Sequence, residues 1–189
     1  MREHNAARRH APLHRAITQS TDTPEVKIRT LTSADARAFQ ALHIEGVSNY
    51  PTAFLRSLDE VRNTSPDEVA RVLDSGKMMG AFAGETLVGL AGLAQNGFAS
   101  ARHRAMIGPF YVSAASQGQG VAQALMDALV EKARQMGVLQ LELYVWAKNP
   151  RAQRFYIRNG FEQVGRIPRS VIIDGEECDD LLMVRALDR

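Results

Sequence analysis

A glycine-rich turn between a strand and a helix limits what this chain can fold into more than any other feature. The stretch YVSAASQGQGVAQALMDAL, residues 111–129, places Gly118 and Gly120 between an apolar run typical of a strand and an alanine-rich run typical of a helix. A glycine turn that enters a helix presents free backbone N–H groups and the positive end of the helix, and both attract an anion. The sequence therefore predicts an anion-binding turn.

Length and charge distribution favour one domain with a flexible extension. At 189 residues the chain is long enough for one well-buried domain, which we expect over residues 25–189. The formal net charge of +2 is concentrated in residues 1–24, where arginines outweigh Glu3 and Asp22. This segment has little apolar periodicity, so we expect a flexible tail, with an electrostatic arm for RNA or a protein partner as the alternative. Residues 25–189 therefore have no formal net charge, and we expect no nucleic-acid partner.

The cysteine count and the hydropathy pattern limit the kinds of site and the cellular location that we expect. Cys178 is the single cysteine, which excludes an internal disulfide and a cysteine-rich zinc site, and we expect no metal. The chain has no uninterrupted run of about eighteen apolar residues and no apolar block of the kind found in signal peptides. We therefore expect a cytoplasmic protein that does not bind a membrane.

Hydrophobic periodicity and turn residues predict the order strand, two helices, three strands, helix, strand, helix and two strands. The connection SNYPTAFLRSLDEVRNTS, residues 48–65, is too irregular for a long helix. Gly108-Pro109 interrupts the strand before the glycine turn, because proline cannot donate to a strand ladder. Asp174-Gly175 signals a hairpin between the last two strands. This order predicts an α/β or α+β fold with helices on the faces of one mixed sheet.

The glycine turn does not fully match either of two common phosphate-binding patterns. A P-loop requires a lysine followed by serine or threonine, and no such pair occurs in the chain. A dinucleotide fingerprint matches Gly118 and Gly120, with Glu142 as the candidate ribose acid, but Gln123 stands at the third glycine position. Dinucleotide binding is therefore a weak alternative.

Two motifs in one order match a different pattern. QGQGVA, residues 117–122, has the form Gln/Arg-x-x-Gly-x-Gly/Ala, and NPRAQRFYIRNGF, residues 149–161, has the form Asn-x-x-Ala-x-x-Phe-Tyr-x-x-x-Gly-Phe. With the closing hairpin and LLMVRAL, the chain resembles the GNAT superfamily of acyl-CoA-dependent N-acetyltransferases from about residue 26 to residue 187. The resemblance implies a mixed, mostly antiparallel sheet with a splayed central strand pair, helices on both faces, and acetyl-CoA as cosubstrate.

The resemblance also implies where coenzyme A binds. The glycine turn would hold its pyrophosphate, and the strand broken at Gly108-Pro109 would pair with its pantetheine arm. The residues implied to bind the cofactor are Phe110, Tyr111, Val112, Gln117, Gly118, Gln119, Gly120, Val121, Ala122, Asn149, Ala152 and Tyr156. The alternatives are an ordinary tight turn, a strand bulge without function, and an asparagine that only caps a helix.

The resemblance assigns one catalytic residue and leaves another open. Tyr156 corresponds to the family tyrosine near the coenzyme sulfur, which makes it the expected general acid, with simple packing as the alternative. The chain has no carboxylate in residues 101–117, where many relatives carry their base. Glu45 is the candidate base, and Asp59, Glu60, His103 or a water relay are the alternatives.

The acceptor is the least constrained part of the interpretation. SNYPTAF, residues 48–54, offers aromatic walls, and the acidic residues of the closing hairpin would favour a cationic amine; they are Asp174, Glu176, Glu177, Asp179 and Asp180. The resemblance implies transfer of an acetyl group from acetyl-CoA to a primary amine of a small molecule or peptide, by a monomer or a homodimer. A non-catalytic acyl-CoA-binding domain of the same fold is the alternative.

Overall fold

The computed structural model describes residues 26–188. The predicted tail at residues 1–24 lies outside that range. The described part contains seven strands and five α-helices, in the predicted order except for one additional short helix. They are β1 Val26–Thr30, α1 Ala36–Asn49, α2 Leu58–Arg62, α3 Pro66–Asp74, β2 Met78–Ala83, β3 Thr86–Gln95, β4 Arg104–Val112, α4 Val121–Gln135, β5 Gln140–Trp146, α5 Pro150–Arg158, β6 Glu162–Ile173 and β7 Glu176–Ala186.

The additional helix is α2, which lies in the connection expected to lack a long helix. A reciprocal capping box defines it: the Ser57 backbone N–H donates to the Glu60 carboxylate at 2.7 Å, and the Glu60 N–H donates to Ser57 Oγ at 3.3 Å. These bonds satisfy two donors that a helix start leaves free. The prediction of two helices before β2 was therefore short by one, because five residues are too few to show helical periodicity.

The seven strands form one sheet in the order β1-β2-β3-β4-β5-β7-β6. Neighbouring strands are antiparallel except β4 and β5, which are parallel. Helix α4 makes the crossover that a parallel pair requires. The β6–β7 hairpin turns at Asp174 and Gly175, whose φ angles of 51° and 83° are those of a tight primed turn. The predicted mixed, mostly antiparallel sheet is confirmed.

Helices cover both faces of the sheet, as predicted. On one face, α4 and α5 pack on the sheet around a core that includes Leu125, Leu129 and Phe161. On the other face, α1, α2 and α3 pack over a second core that includes Phe39, Leu73 and Leu90. Within residues 26–188 no helix has both the length and the apolar character needed to cross a membrane.

Strands β4 and β5 separate after three residue pairs. Residues 104–106 of β4 pair with residues 140–142 of β5, whereas β4 stays paired with β3 as far as Val112. The β3–β4 register shifts next to Gly92, where a Cβ would overlap the carbonyl oxygen of Gly108. The absence of a side chain at Gly92 thus allows the bulge at Gly108-Pro109. The predicted break and the predicted splay are both confirmed.

Candidate active site

One cavity of about 920 Å³ opens where β4 and β5 diverge. We call its two parts the glycine-turn side and the aromatic side. The glycine-turn side is lined from residues 116–123 and from residues 149–158 at the start and along the length of α5. The aromatic side is lined by His43 and from residues 50–56, together with Tyr144, Trp146, Ile167, Ser170, Val171 and Asp180. The end of β4, residues 106–112, lies between the two.

Most of the residues that the resemblance assigns to the cofactor line this cavity. They are Phe110, Tyr111, Val112, Gln117, Gly118, Gly120, Ala122, Asn149, Ala152 and Tyr156. Gln119 and Val121 do not: the Gln119 side chain donates to the Ala115 carbonyl at 2.9 Å, and Val121 is buried in the core beneath α4. The fold therefore brings the predicted cofactor residues together around one cavity, except that the side chains of Gln119 and Val121 do not line it.

The glycine turn has the backbone that its sequence requires. Gly118 and Gly120 have φ angles of 79° and 83°, which L side chains rarely adopt, and Gly120 is the N-cap of α4. A Cβ at either position would meet no atom within 4 Å, so the space in front of the turn is open. The N–H groups in the first turn of α4 have no partner within the helix, and they lie next to the glycine turn, so this position suits an anion.

Gln117 ties the turn to its surroundings. Its Nε2 donates to the Val112 carbonyl at 3.1 Å, and its Oε1 accepts from Arg151 Nη1 at 2.8 Å. Arg151 and Arg158 both line the glycine-turn side and are two turns apart on α5, hence on one helix face. Their positive charge favours an anionic ligand, and the sequence analysis did not assign them, although their spacing in NPRAQRFYIR is the signal that would have found them.

The side chain of Tyr156 is buried, and its hydroxyl forms no hydrogen bond with any group of residues 26–188. The residue is 9% exposed, and its ring packs against Phe110, Phe155 and Phe161 at centroid distances of 6.3, 5.4 and 5.8 Å. Tyr156 also lines the cavity. Burial raises the pKa of Tyr156, so the phenol stays protonated at neutral pH and presents an O–H donor.

Asn149 positions α5. Its side chain caps the helix by accepting from the Ala152 N–H at 3.0 Å, and Pro150 occupies the first helical position. Asn149 also lines the cavity, so capping does not remove it from the site. At the other end of α5, the amide of Asn159 accepts from Gln123 Nε2 of α4 at 2.8 Å. Gln123 stands where the dinucleotide fingerprint requires its third glycine, and its side chain links α4 to the end of α5.

The candidate bases lie away from the cavity surface. Glu45 Oε1 accepts from the Tyr111 hydroxyl at 2.9 Å and from the Ala114 N–H at 3.0 Å. Glu60 caps α2, and the hydrogen bonds from Ser57 lower its pKa. Asp59 is exposed on α2, and His103 is exposed just before β4. None of these four residues is among those that line the described cavity.

The acidic run of the closing hairpin divides into three groups. Asp179 pairs with Arg166 at 2.5 Å and Glu177 pairs with Arg169 at 2.8 Å, while Asp174 and Glu176 are exposed. Asp180 alone is buried, and it lines the aromatic side. The sequence analysis did not separate it from its neighbours, because the choice depends on the register of β7.

Two further residues complete the electrostatics of the site. His43 lies between Phe39 and Phe54 with ring centroids 5.4 Å away on each side, and burial, with a smaller contribution from Arg56, lowers its pKa to about 4. Glu142, the candidate ribose acid, is held by Arg104, whose Nη2 donates to Oε2 at 2.8 Å, and this pairing lowers its pKa. His43 is therefore neutral at pH 7, and Glu142 is occupied by Arg104.

Comparison with known proteins identifies the family. The model of the Acetyltransferase (GNAT) family matches residues 41–161. Mycothiol acetyltransferase of Brachybacterium faecium is 32% identical over 136 residues, 71% of this chain and 40% of that protein. An uncharacterized N-acetyltransferase of Mycobacterium bovis is 38% identical over 77 residues, 41% of this chain and 48% of that protein. The chain thus spans less than half the length of these relatives.

Solved structures share the fold. Ribosomal-protein-alanine N-acetyltransferase of Brucella melitensis superposes with a TM-score of 0.75 at 24% identity, covering 85% of this chain and 99% of that one. A Salmonella typhimurium protein described as an acetyltransferase, solved with its cofactor acetyl-CoA, gives 0.76 at 20% identity, covering 87% and 95%. The family match over residues 41–161, on a fold with the splayed pair and the glycine turn, shows that the chain belongs to the GNAT family of acetyltransferases.

Proposed function

We propose that this protein transfers an acetyl group from acetyl-CoA to a primary amine. The observation that carries the proposal is the common cavity, onto which the glycine turn, the unpaired end of β4 and the free hydroxyl of Tyr156 all open. The family supplies the reaction class, and these three features supply an anion site, unpaired backbone and a proton donor in the order that a phosphate-bearing thioester needs.

The residues present fit coenzyme A. The turn at Gly118 and Gly120 leaves open space where side chains would otherwise stand, so the backbone can approach phosphates closely. Arg151 and Arg158 add positive charge on the same side. Beyond Met106 the edge of β4 that faces β5 has no ladder partner within residues 26–188. Phe110 and the N–H of Val112, whose carbonyl already accepts from Gln117, can therefore pair with the amide groups of the pantetheine arm as strands do.

The chemistry divides between the cosubstrate and the protein. Acetyl-CoA supplies the acetyl group as a thioester, and the products are an amide, a free thiol and one proton released from the ammonium form of the amine. With acetyl-CoA bound, backbone N–H groups at the end of β4 would donate to the carbonyl oxygen of the acetyl group and would stabilise negative charge there. Tyr156 would donate its O–H to the departing sulfur. The pKa of a phenol, about 10, already lies above that of a thiol, about 8.5, and burial raises the pKa of Tyr156 further. Complete proton transfer is therefore uphill, and the hydrogen bond is its main contribution.

Glu45 stays a prediction as the base. Its carboxylate already accepts two hydrogen bonds from Tyr111 and Ala114, so any role in removing the proton of the amine would pass through Tyr111 or through water. The pKa of Tyr111 is raised to about 12, chiefly by burial, with Glu45 adding to the effect and the Asn49 hydrogen bond opposing it. A phenol with that pKa is a poor relay at neutral pH, so we favour water as the proton acceptor.

Calorimetric titration with acetyl-CoA tests the proposal. We expect the wild-type protein to bind and Gly120→Trp to lose binding, because the indole would fill the space in front of the turn. Gly137→Trp is the matched control: Gly137 also has a positive φ, 73°, and open space around its Cβ, but it ends α4 far from the cavity. The Gly137→Trp protein should carry a similar backbone strain and should bind acetyl-CoA as the wild type does.

Three outcomes separate the alternatives. No binding to folded wild-type protein would overturn the proposal. Equal loss in Gly120→Trp and Gly137→Trp would mean that backbone strain rather than the turn is responsible. Binding without release of free thiol over a panel of primary amines would favour the non-catalytic acyl-CoA-binding alternative.

A further inference from the structure

The aromatic side of the cavity lies on the sheet face opposite α4 and α5. Strand β7 directs Leu181 and Met183 into the core beneath those helices, and side chains alternate along a strand, so Asp180 points to the other face. Trp146 of β5 is the register partner of Asp180, so their side chains are neighbours, with Cβ atoms typically about 5 Å apart in such pairs. The cavity therefore passes through the gap between β4 and β5, from the glycine turn to this face.

Asp180 is the one carboxylate among the described residues that line the cavity. It is 7% exposed, and its Oδ2 accepts from Ser170 Oγ at 2.6 Å. Within residues 26–188 no lysine or arginine forms an ion pair with it, unlike Asp179 and Glu177 on the same strand. A carboxylate removed from water is unfavourable unless a cation or donors replace the water, so this site gains from a cationic ligand.

A second polar group on this side lacks a partner. The Nε1 of Trp146 is buried and has no hydrogen-bond acceptor within residues 26–188. A buried indole N–H normally finds an acceptor, so the absence of one beside Asp180 marks a position that a bound molecule carrying a hydrogen-bond acceptor would complete. An ammonium only donates, so this acceptor has to lie on the body of the ligand. The two groups belong to neighbouring residues of one sheet face and to one cavity, which makes them independent indications of the same binding site.

The surrounding wall is mainly apolar. It is formed by Tyr50, Phe54, Leu55, Tyr144, Ile167 and Val171. Aromatic rings next to a carboxylate favour an organic cation, because the ring faces attract positive charge while the rings pack against an apolar body. Arg56 is the opposing charge: it is exposed at the rim, and its Nη2 donates to the Glu60 carbonyl at 3.1 Å.

We propose that the aromatic side is the acceptor site and that it selects a primary ammonium attached to an apolar or aromatic body, with the ammonium donating to Asp180 and a hydrogen-bond acceptor on the body facing Trp146 Nε1. This inference rests on the proposed acetyltransferase function, because the acceptor is the amine of that reaction. Asp180 is a positioning residue: it orients the nitrogen, and the proton that the ammonium must lose before attack goes to solvent. The acceptor thus approaches from the sheet face opposite the face that carries Tyr156.

The fluorescence of Trp146 tests the assignment, because it is the only tryptophan in the chain. Three probes of similar size differ in charge: 2-phenylethylamine, 2-phenylethanol and 3-phenylpropionate. We expect the wild-type protein to bind the amine about tenfold more tightly than the alcohol, the difference typical of one charge-assisted hydrogen bond. Asp180→Asn should remove this preference, since the carboxamide can still accept from Ser170 but carries no charge.

Asp179→Asn is the matched control, because it removes the same charge from the adjacent residue, whose carboxylate binds Arg166 and does not line the cavity. It should keep the preference for the amine. Equal affinity for amine and alcohol, no binding of the amine, or a preference for 3-phenylpropionate would overturn the assignment. Acetyl-CoA titration of Asp180→Asn should match wild type; if wild type itself fails to bind acetyl-CoA, the proposed function fails and not the assignment of Asp180 alone.

Discussion

The carboxylate of Glu45 and the hydroxyl of Tyr111 form a hydrogen bond of 2.9 Å between helix α1 and strand β4. The same oxygen of Glu45 accepts from the Ala114 N–H, and Asn49 Nδ2 donates to the Tyr111 hydroxyl at 3.3 Å. This network fixes the end of β4 against α1, immediately before the glycine turn. Glu45 is therefore placed to hold the strand that borders the cavity.

Glu45→Gln separates this role from that of a base. The carboxamide oxygen can accept from Tyr111 and Ala114 as the carboxylate does, so we expect kcat/KM to fall less than about tenfold, with an unchanged pH profile. Glu45→Ala removes both bonds and should cost about 1.5–3 kcal/mol of unfolding free energy, as hydrogen bonds to charged groups do. A loss of about a hundredfold or more in Glu45→Gln, together with loss of the acidic limb of the profile, would identify Glu45 as the base.

Local signals explain why the element order was predictable. Asn149, Pro150 and Gly160 mark the two ends of α5, and Asp174-Gly175 marks the last hairpin; each acts through the backbone of its own or the next few residues. The short helix α2 escaped prediction because it depends on one capping box rather than on periodicity. β4 pairs with β5 over only residues 104–106. The family resemblance and Pro109 predicted this separation of the two strands, and the hydrophobic pattern did not.

The cofactor side of the site was predictable for the same reason, since it is built from two contiguous motifs. The acceptor side is not contiguous. Asp179 and Asp180 are adjacent acids in the sequence, and only the register of β7 against β5 decides that one binds Arg166 while the other enters the cavity. The bond from Ala114 to Glu45 spans 69 residues and likewise depends on tertiary packing.

Tyr156→Phe tests the proton donor. Within residues 26–188 the hydroxyl has no hydrogen-bond partner to lose, so we expect unfolding free energy and acetyl-CoA affinity to stay near wild type, while kcat falls about a hundredfold, within the usual range for an acid–base group. Because burial raises the pKa of Tyr156 above its usual value near 10, the wild type should show no loss of activity from tyrosine ionisation below about pH 10. An unchanged kcat in the variant would leave Tyr156 as a packing residue.

Gly92→Ala tests the origin of the splay. The added methyl would overlap the carbonyl oxygen of Gly108, which is backbone and cannot rotate away, so we expect a loss of about 1–3 kcal/mol in unfolding free energy and weaker acetyl-CoA binding. Gly97→Ala is the control, because Gly97 is exposed and a Cβ there meets no atom within 4 Å. Normal acetyl-CoA binding by a stably folded Gly92→Ala protein would show that the cavity does not depend on this bulge.

His43 should make stability depend on pH. Burial between Phe39 and Phe54 lowers its pKa to about 4 from 6.5, so the unfolded chain takes up the proton at a higher pH than the folded protein does. Stability is then complete above pH 6.5 and falls as pH decreases towards 4. For this partly buried group we expect a drop of about 1–2 kcal/mol between pH 7 and pH 5.

Denaturant unfolding at the two pH values measures the effect. His43→Leu should lose this part of the pH dependence, since leucine fills the apolar space without titrating, whereas His103→Gln, at an exposed position before β4, should keep the wild-type drop. A wild-type slope retained in His43→Leu would assign the pH dependence to other groups.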